Sequence, residues 1–267
     1  MVEYPKPWLL FWVAAIIAHF YMDYTFIRKW RSWNRGTAPS PDPEGQRGGA
    51  AGIWFAEVFL QRQLFALSPF RWLIHILIFY GFAGLLFISL FTFVLRALGY
   101  LGIDSGIARF FLSGGGHTLI KIAGDFFGLA LLTGLVVAFL KRLFFRPAQQ
   151  DNKQMDILLL LFLLWLTVSG FALETARVAL TPGETARYSF FAHIIAPAGY
   201  AADQLRSWLT ALWTVHAFST VGFLVYLPHS KLMHSLLAPI VIARNTVEEQ
   251  YREDMYWPNV KKYKATR

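Results

Sequence analysis

The chain has 267 residues, 56% of them apolar, 17% aromatic and 15% charged, with a formal net charge of +9. A mean hydropathy of +0.43 and a charged fraction well below the ~25% of an ordinary soluble domain mark a membrane protein. The absence of cysteine excludes iron–sulfur clusters held by this chain, haem attachment through CxxCH, disulfides and thiol catalysis, so redox chemistry here needs a cofactor held by other ligands, histidine first.

Five apolar runs are long enough to span a bilayer. The first, Trp8–Ile27, lacks a strongly basic n-region and a small-residue cleavage site, so it reads as a span rather than a signal peptide. Gly36–Gly52 is rich in Pro and Gly and is expected to be a mobile loop. Ile53–Leu67 sets Glu57, Gln61 and Arg62 among large apolar residues, as a helix lying along the inner interface would. The other spans are Trp72–Leu98, Leu119–Leu140, Asp156–Leu173 and Trp208–Leu227, the last running on toward Ala238. Continuous rather than alternating apolar character makes them helices, because backbone amides in lipid must be satisfied locally. Between the fourth and fifth, Thr181–Ser207 is a long loop with room for a short interfacial helix. The tail from Arg244 carries Tyr251, Tyr256 and Trp257 and reads as a docking strip for a cytoplasmic subunit, against the plainer reading of a solvated tail.

Of the 25 Lys and Arg residues, 18 fall in the segments after the first, third and fifth spans. The positive-inside rule then puts the N-terminus outside and the C-terminus in the cytoplasm. The charge therefore reports topology, and no nucleic-acid partner is inferred from it. The expected architecture is an all-α integral membrane bundle of five transmembrane helices in residues 1–240, with a cytoplasmic loop and interfacial helix at 28–70 and a cytoplasmic tail at 241–267.

His216 and His234 stand 18 residues apart in TVHAFSTVGFLVYLPHSKLMH. At about 100° and 1.5 Å per residue, one unbroken helix would send both imidazoles out of the same face roughly 27 Å apart, close to the ~30 Å bilayer core. Two stacked haems in a bundle need that pattern; two ordinary histidines on a buried helix would also produce it. His75, a few residues into the second span, shares the cytoplasmic depth of His234, and the pair can clamp the iron of one b-type haem. Arg71 and Lys231 are placed to pair with haem propionates, although basic residues flank inner helix ends anyway. His216 lies at the outer depth, where the second helix offers only Gly84, Leu85 and Leu86. His193, in FFAHIIAP, is the preferred partner over His117, which follows three glycines on an expected flexible turn; one haem, with His216 a core histidine, is the alternative. His19 and Asp23 share a face and read as a structural pair, with a proton or quinone role the alternative, and His229 follows a kink at Pro228 and is read as non-ligating.

Ionisable groups inside a bilayer are costly and call for a role. Asp125, four residues after Lys121, and Glu174, three before Arg177, lie toward the outer ends of the third and fourth spans. They are candidate proton and quinone groups, with charge pairing at helix ends the competing account.

With these residues in view the chain resembles the gamma-subunit family of respiratory nitrate reductase, and more closely the cytochrome b subunits of membrane heterodisulfide reductases and related sulfur-metabolism complexes. The resemblance covers about Ala56 to Ile240 and rests on EVFLQRQLFALSPFRWLIHILIFYGFAG, KIAGDFFGLALLTGLVVAFLKR, SGFALETAR and LWTVHAFSTVGFLVYLPHSKLMH. It implies five helices holding two b haems, with His75 and His234 on the inner iron and His216 on the outer one. It further implies exchange of electrons with menaquinone or another quinone, a cytoplasmic iron–sulfur partner subunit, further membrane or periplasmic subunits, and the inner membrane of a prokaryote. Such a chain is an electron-transfer subunit and not a complete enzyme alone. The nitrate reductase pattern sets a further ligand ten residues after the first on the second helix; Leu85 stands there, which leaves the partner of His216 open. The competing classes are a redox-silent membrane anchor for a cytoplasmic enzyme and a five-helix transporter. No internal repeat or strongly Gly/Pro-broken span supports the transporter.

Overall fold

The computed structural model describes residues 8–34, 47–103, 105–144, 153–180, 186–196, 202–230, 232–233 and 237–243. Among them no strand occurs. In chain order the helices are α1 (Trp8–Asn34), α2 (Arg47–Val58), α3 (Arg62–Leu67), α4 (Pro69–Tyr100), α5 (Gly106–Leu112), α6 (Gly115–Phe144), α7 (Lys153–Leu180), α8 (Phe190–Ile195) and α9 (Ala202–Tyr226), with 3₁₀ turns at Ala186–Tyr188 and Leu227–His229. Five are long and apolar enough to cross a membrane, over Leu10–Ser32, Pro69–Tyr100, Gly115–Phe144, Ile157–Leu180 and Leu205–His229. The all-α, five-span architecture expected from the sequence is therefore present.

Several local expectations are corrected. The fifth helix does not run on toward Ala238. It ends at Tyr226, a 3₁₀ turn carries Leu227–His229, and Ser230 is extended at φ −87°, ψ 166°. Pro228 is the cause, having no N–H to donate and a ring that clashes with the preceding turn. The helix that carries His216 therefore ends before residue 234, and the same-face geometry drawn from the 18-residue spacing does not apply. At its other end α9 begins at Ala202, so His216 falls near the middle of its span rather than toward the outer end. Residues 47–52, expected to be loop, open α2. The amphipathic stretch is two helices, broken where Gln61 adopts a left-handed φ of 50°; the Glu57 carboxylate accepts the Gln63 N–H at 3.3 Å across the break. The glycines before His117 do not make a free turn either: Gly115 and Gly116 open α6.

The chain divides into two compact units, one of Met1–Ala15 with Leu73–Gly222 and the other of Ile16–Trp72 with Phe223–Arg267. In the first, α4 and α6 meet backbone to backbone. A Cβ on Gly81 would stand 2.5 Å from the Leu131 amide nitrogen, and one on Gly134 would stand 3.0 Å from that of Ile78. Small residues permit such close approach in membranes, where packing replaces the hydrophobic drive. Gly84 is covered in the same way by the Phe127 ring. Phe171 of α7 lies over Gly128 of α6, and Gly116 lies under the rings of Phe110 and Phe111, which ties α5 to the start of α6. Ser105 caps α5, its hydroxyl accepting the Ala108 N–H at 3.1 Å.

In the second unit, indole N–H groups bind backbone carbonyls: Trp72 donates to Leu60 at 2.8 Å and Trp54 to Pro239 at 2.7 Å. The turn after α9 is fastened to α1. Lys29 donates to the Pro228 carbonyl, and the Tyr21 hydroxyl meets His229 Nε2 at 2.9 Å. Ser230 donates from its hydroxyl to the Leu227 carbonyl at 2.8 Å and accepts the Leu232 N–H at 3.1 Å.

Candidate functional site

Two groups of polar residues lie within the first unit. The smaller joins α7 to α9. Ser169 Oγ is 2.8 Å from His216 Nδ1, and a Cβ placed on the next residue, Gly170, would stand 3.6 Å from His216 Cε1. The imidazole therefore lies along the Ser169–Gly170 step of α7. One turn away Trp165 Nε1 reaches Ser219 Oγ at 3.4 Å, so residues 165 and 169 of one helix face 219 and 216 of the other in antiparallel register. Ser169 is only 2% exposed, and His216 is half-buried.

The larger group sits where α6, α7 and α8 meet. His117, Lys121 and Asp125 follow one another at four-residue spacing on α6, which keeps them on one side of the helix. Glu174 and Arg177 face them from α7, close enough for all five to interact electrostatically. Arg177 Nε donates to Glu174 Oε2 at 2.8 Å. Both carboxylates also hold α8. Asp125, 3% exposed, accepts the Phe191 N–H at 2.8 Å, and Glu174 accepts the hydroxyl of Ser189, the residue preceding α8. These two N-terminal donors of α8 thus end on anions, the pairing that a helix N-terminus favours. Ala192 rests on Val178, and the Phe191 and Phe171 rings meet edge-on with centroids 4.7 Å apart.

The sequence candidates fall out unevenly. Asp125 and Glu174 come together, joined by His117 in the first turn of α6. His193 stands exposed on α8 beside Ala192. The Val178 contact of Ala192 lies about nine residues, or roughly 13 Å, further along α7 than Ser169. His75 is half-buried in α4, its ring parallel to that of Phe79 with centroids 6.4 Å apart. Arg71 is exposed, its N–H 3.4 Å from Ser68 Oγ. His234 and Lys231 lie outside the described residues. Among the described residues no group of three or more His, Asp or Glu is placed to hold a bare metal ion. Sequence reasoning missed Ser169, Trp165 and Ser219, whose significance depends on which helix faces which. It also missed Ser189, although a serine before an apolar run is a recognisable N-cap signal.

The family pattern described as nitrate reductase gamma subunit matches residues 90–247, more than half of the chain. The chain belongs to the nitrate reductase gamma-subunit family. It is also similar to a subunit of the dihydromethanophenazine:CoB–CoM heterodisulfide reductase of Methanosarcina mazei, at 25% identity over 86% of this chain and 89% of that protein. The corresponding protein of Methanosarcina barkeri is 26% identical over 83% of this chain and 74% of its own length. An EtfAB:quinone oxidoreductase of Syntrophomonas wolfei matches 86% of this chain at 25% identity, over 32% of its longer sequence. No solved structure is significantly similar. This member of the gamma-subunit family, with its five membrane-length helices, is a multi-pass membrane protein and a redox membrane subunit.

Proposed function

We propose that this gamma-subunit family member is the haem b subunit of a multi-subunit oxidoreductase, passing electrons between the membrane quinone pool and a cytoplasmic iron–sulfur subunit of heterodisulfide reductase type. The observation that carries the reading is His216: a half-buried imidazole near the middle of a candidate span, one nitrogen engaged by Ser169 and the other left over for a ligand. Haem b supplies one-electron steps when bound; the chain supplies ligands, spacing and proton handling. His75 and His234 are assigned to one iron, with Arg71 and Lys231 as partners for its propionates. His216 would hold a second haem, together with His193 or His117. Asp125 and Glu174, in one polar group with Lys121 and His117, are the proposed hydrogen-bonding and proton groups for a quinone.

The relatives' names support a lipid-soluble carrier on one side and a heterodisulfide-linked partner on the other, since they mention dihydromethanophenazine, quinone and the CoB–CoM heterodisulfide. The concentration of Lys and Arg after the first, third and fifth spans supports an N-terminus outside and a C-terminal tail, 241–267, in the cytoplasm of a prokaryote, where the partner would dock. Reduced-minus-oxidised absorbance of the purified complex tests the reading. His75→Ala and His234→Ala should abolish the same b-type band, and His216→Ala should spare that band and remove another. A wild-type complex without b-type bands assignable to this chain would leave a redox-silent anchor in its place.

A further inference from the structure

We propose that Ser169 is the positioning residue that fixes the tautomer of His216, placing the proton on Nδ1 and leaving the Nε2 lone pair free for a ligand. The inference rests on the reading of His216 as an axial haem ligand and adds to it which nitrogen binds and what holds it.

The argument is a proton count. A serine hydroxyl has one proton to give. Ser169 Oγ stands 2.7 Å from the Trp165 carbonyl and 3.2 Å from that of Leu166, and a carbonyl oxygen can only accept. Two oxygens at 2.7 Å with no proton between them would set lone pair against lone pair, so the proton lies on the Trp165 side. This is the back-bond to residue i−4 that serines adopt within helices. The 2.8 Å contact to His216 Nδ1 then has no proton left from serine, and the imidazole must provide it. With Ser169 2% exposed, little room remains for water to take over either bond. Nδ1–H donates to Oγ, and Nε2, at the far side of the ring, carries the lone pair.

The chemistry suits an axial ligand. A haem nitrogen ligand must be neutral at the binding atom, and its ring is normally oriented by a partner on the other nitrogen. A hydroxyl whose own proton is committed is a pure acceptor toward the ring, but a weak one compared with a carboxylate. It fixes the ring without drawing it toward imidazolate. Gly170 leaves the edge beside it clear, since even an added methyl would reach only ordinary contact with Cε1 at 3.6 Å.

The test compares Ser169→Thr with Ser169→Val in the purified complex. The two side chains have the same shape, and only threonine keeps the acceptor. Threonine should preserve the midpoint potential and the low-spin ferric EPR signal of the haem lost in His216→Ala. Valine should move that potential to more positive values, shift the signal, and weaken haem retention about 10- to 100-fold, the usual effect of losing a ligand's hydrogen-bonding partner. Gly170→Ala, which leaves the hydroxyl in place, should match wild type in all three. Equal behaviour of the threonine and valine variants overturns the proposal. If His216→Ala itself retains every haem, the ligand assignment fails, and that failure is read from a different variant.

Discussion

The start of α8 and the end of α9 are both helix ends held by side chains of neighbouring helices, and they are satisfied with opposite signs. At α8 the groups to be satisfied are N–H and hydroxyl donors, and the side chains that meet them are carboxylates, buried Asp125 from α6 and half-buried Glu174 from α7. After α9 the exposed groups are carbonyls, and what meets them is a lysine, a serine hydroxyl and the Ser230 N–H. Each follows the partial charge of its helix end. The difference lies in what would remain without the side chains. The turn after α9 has a backbone cause of its own in Pro228, whereas α8 is a six-residue helix placed by its two carboxylate anchors and by the packing of Ala192 on Val178 and Phe191 on Phe171. Charges inside these spans thus have structural work before any chemical role is considered. A quinone role for Asp125 and Glu174 must be compatible with their hold on α8. His216, held by a neutral hydroxyl, keeps a nitrogen to spare.

The comparison breaks most readily at Pro228. Proline in a helix interior carries a penalty of about 3 kcal/mol, from the lost N–H and the ring clash. Pro228→Ala should therefore let α9 continue through Leu227–His229. Amide hydrogen exchange at His229, Ser230 and Leu232 would slow by one to two decades, and the Ser230 turn would be lost. If those amides exchange as in wild type, the side chains from α1 set the break and the asymmetry with α8 disappears.

A smaller effect is expected at α8. Asp125→Leu leaves the Phe191 N–H without its acceptor in a partly buried position, at a cost within the range of about 1–3 kcal/mol. Exchange and proteolysis across 187–196 should rise by roughly one to two decades, while α6 and α7 stay protected. Release of α8 with no loss of α6 would mark Asp125 as an anchor. Unchanged protection of α8 would mean that Glu174, Ser189 and the Val178–Ala192 contact suffice.

The five spans are legible in the sequence because hydropathy over about 20 residues needs no knowledge of neighbours. The short helix expected between the fourth and fifth spans is α8, and Pro228 is a recognisable kink. The His216–His234 spacing nonetheless misleads, because it is periodic only if one helix joins the two residues. The start of α6 is hard to read because three glycines suggest a free turn; in the fold Gly116 is buried against Phe110 and Phe111 and has to be small. Helix α5 carries no strong signal, being seven residues long. Ser169 is not legible at all: one serine in an apolar helix means nothing until the rotation of α7 and α9 about their axes is known, and no periodicity records that rotation.

The finest test of the contrast is Tyr21→Phe. Tyr21 and His229 have tilted rings with centroids 6.1 Å apart, and the substitution keeps that contact while removing the hydroxyl that reaches Nε2. Single side-chain hydrogen bonds between membrane helices average about 0.6 kcal/mol, because the alternative state finds other partners. At roughly 2–4 °C per kcal/mol for a chain of this size, the thermal midpoint should fall by only about 1–2 °C, and exchange at His229, Ser230 and Leu232 should rise less than threefold. The turn persists because Pro228 and the Lys29 bond remain. A loss of the turn in Tyr21→Phe comparable to that in Pro228→Ala would place this end of α9 in the same class as α8, a backbone feature that exists only because a neighbouring helix holds it.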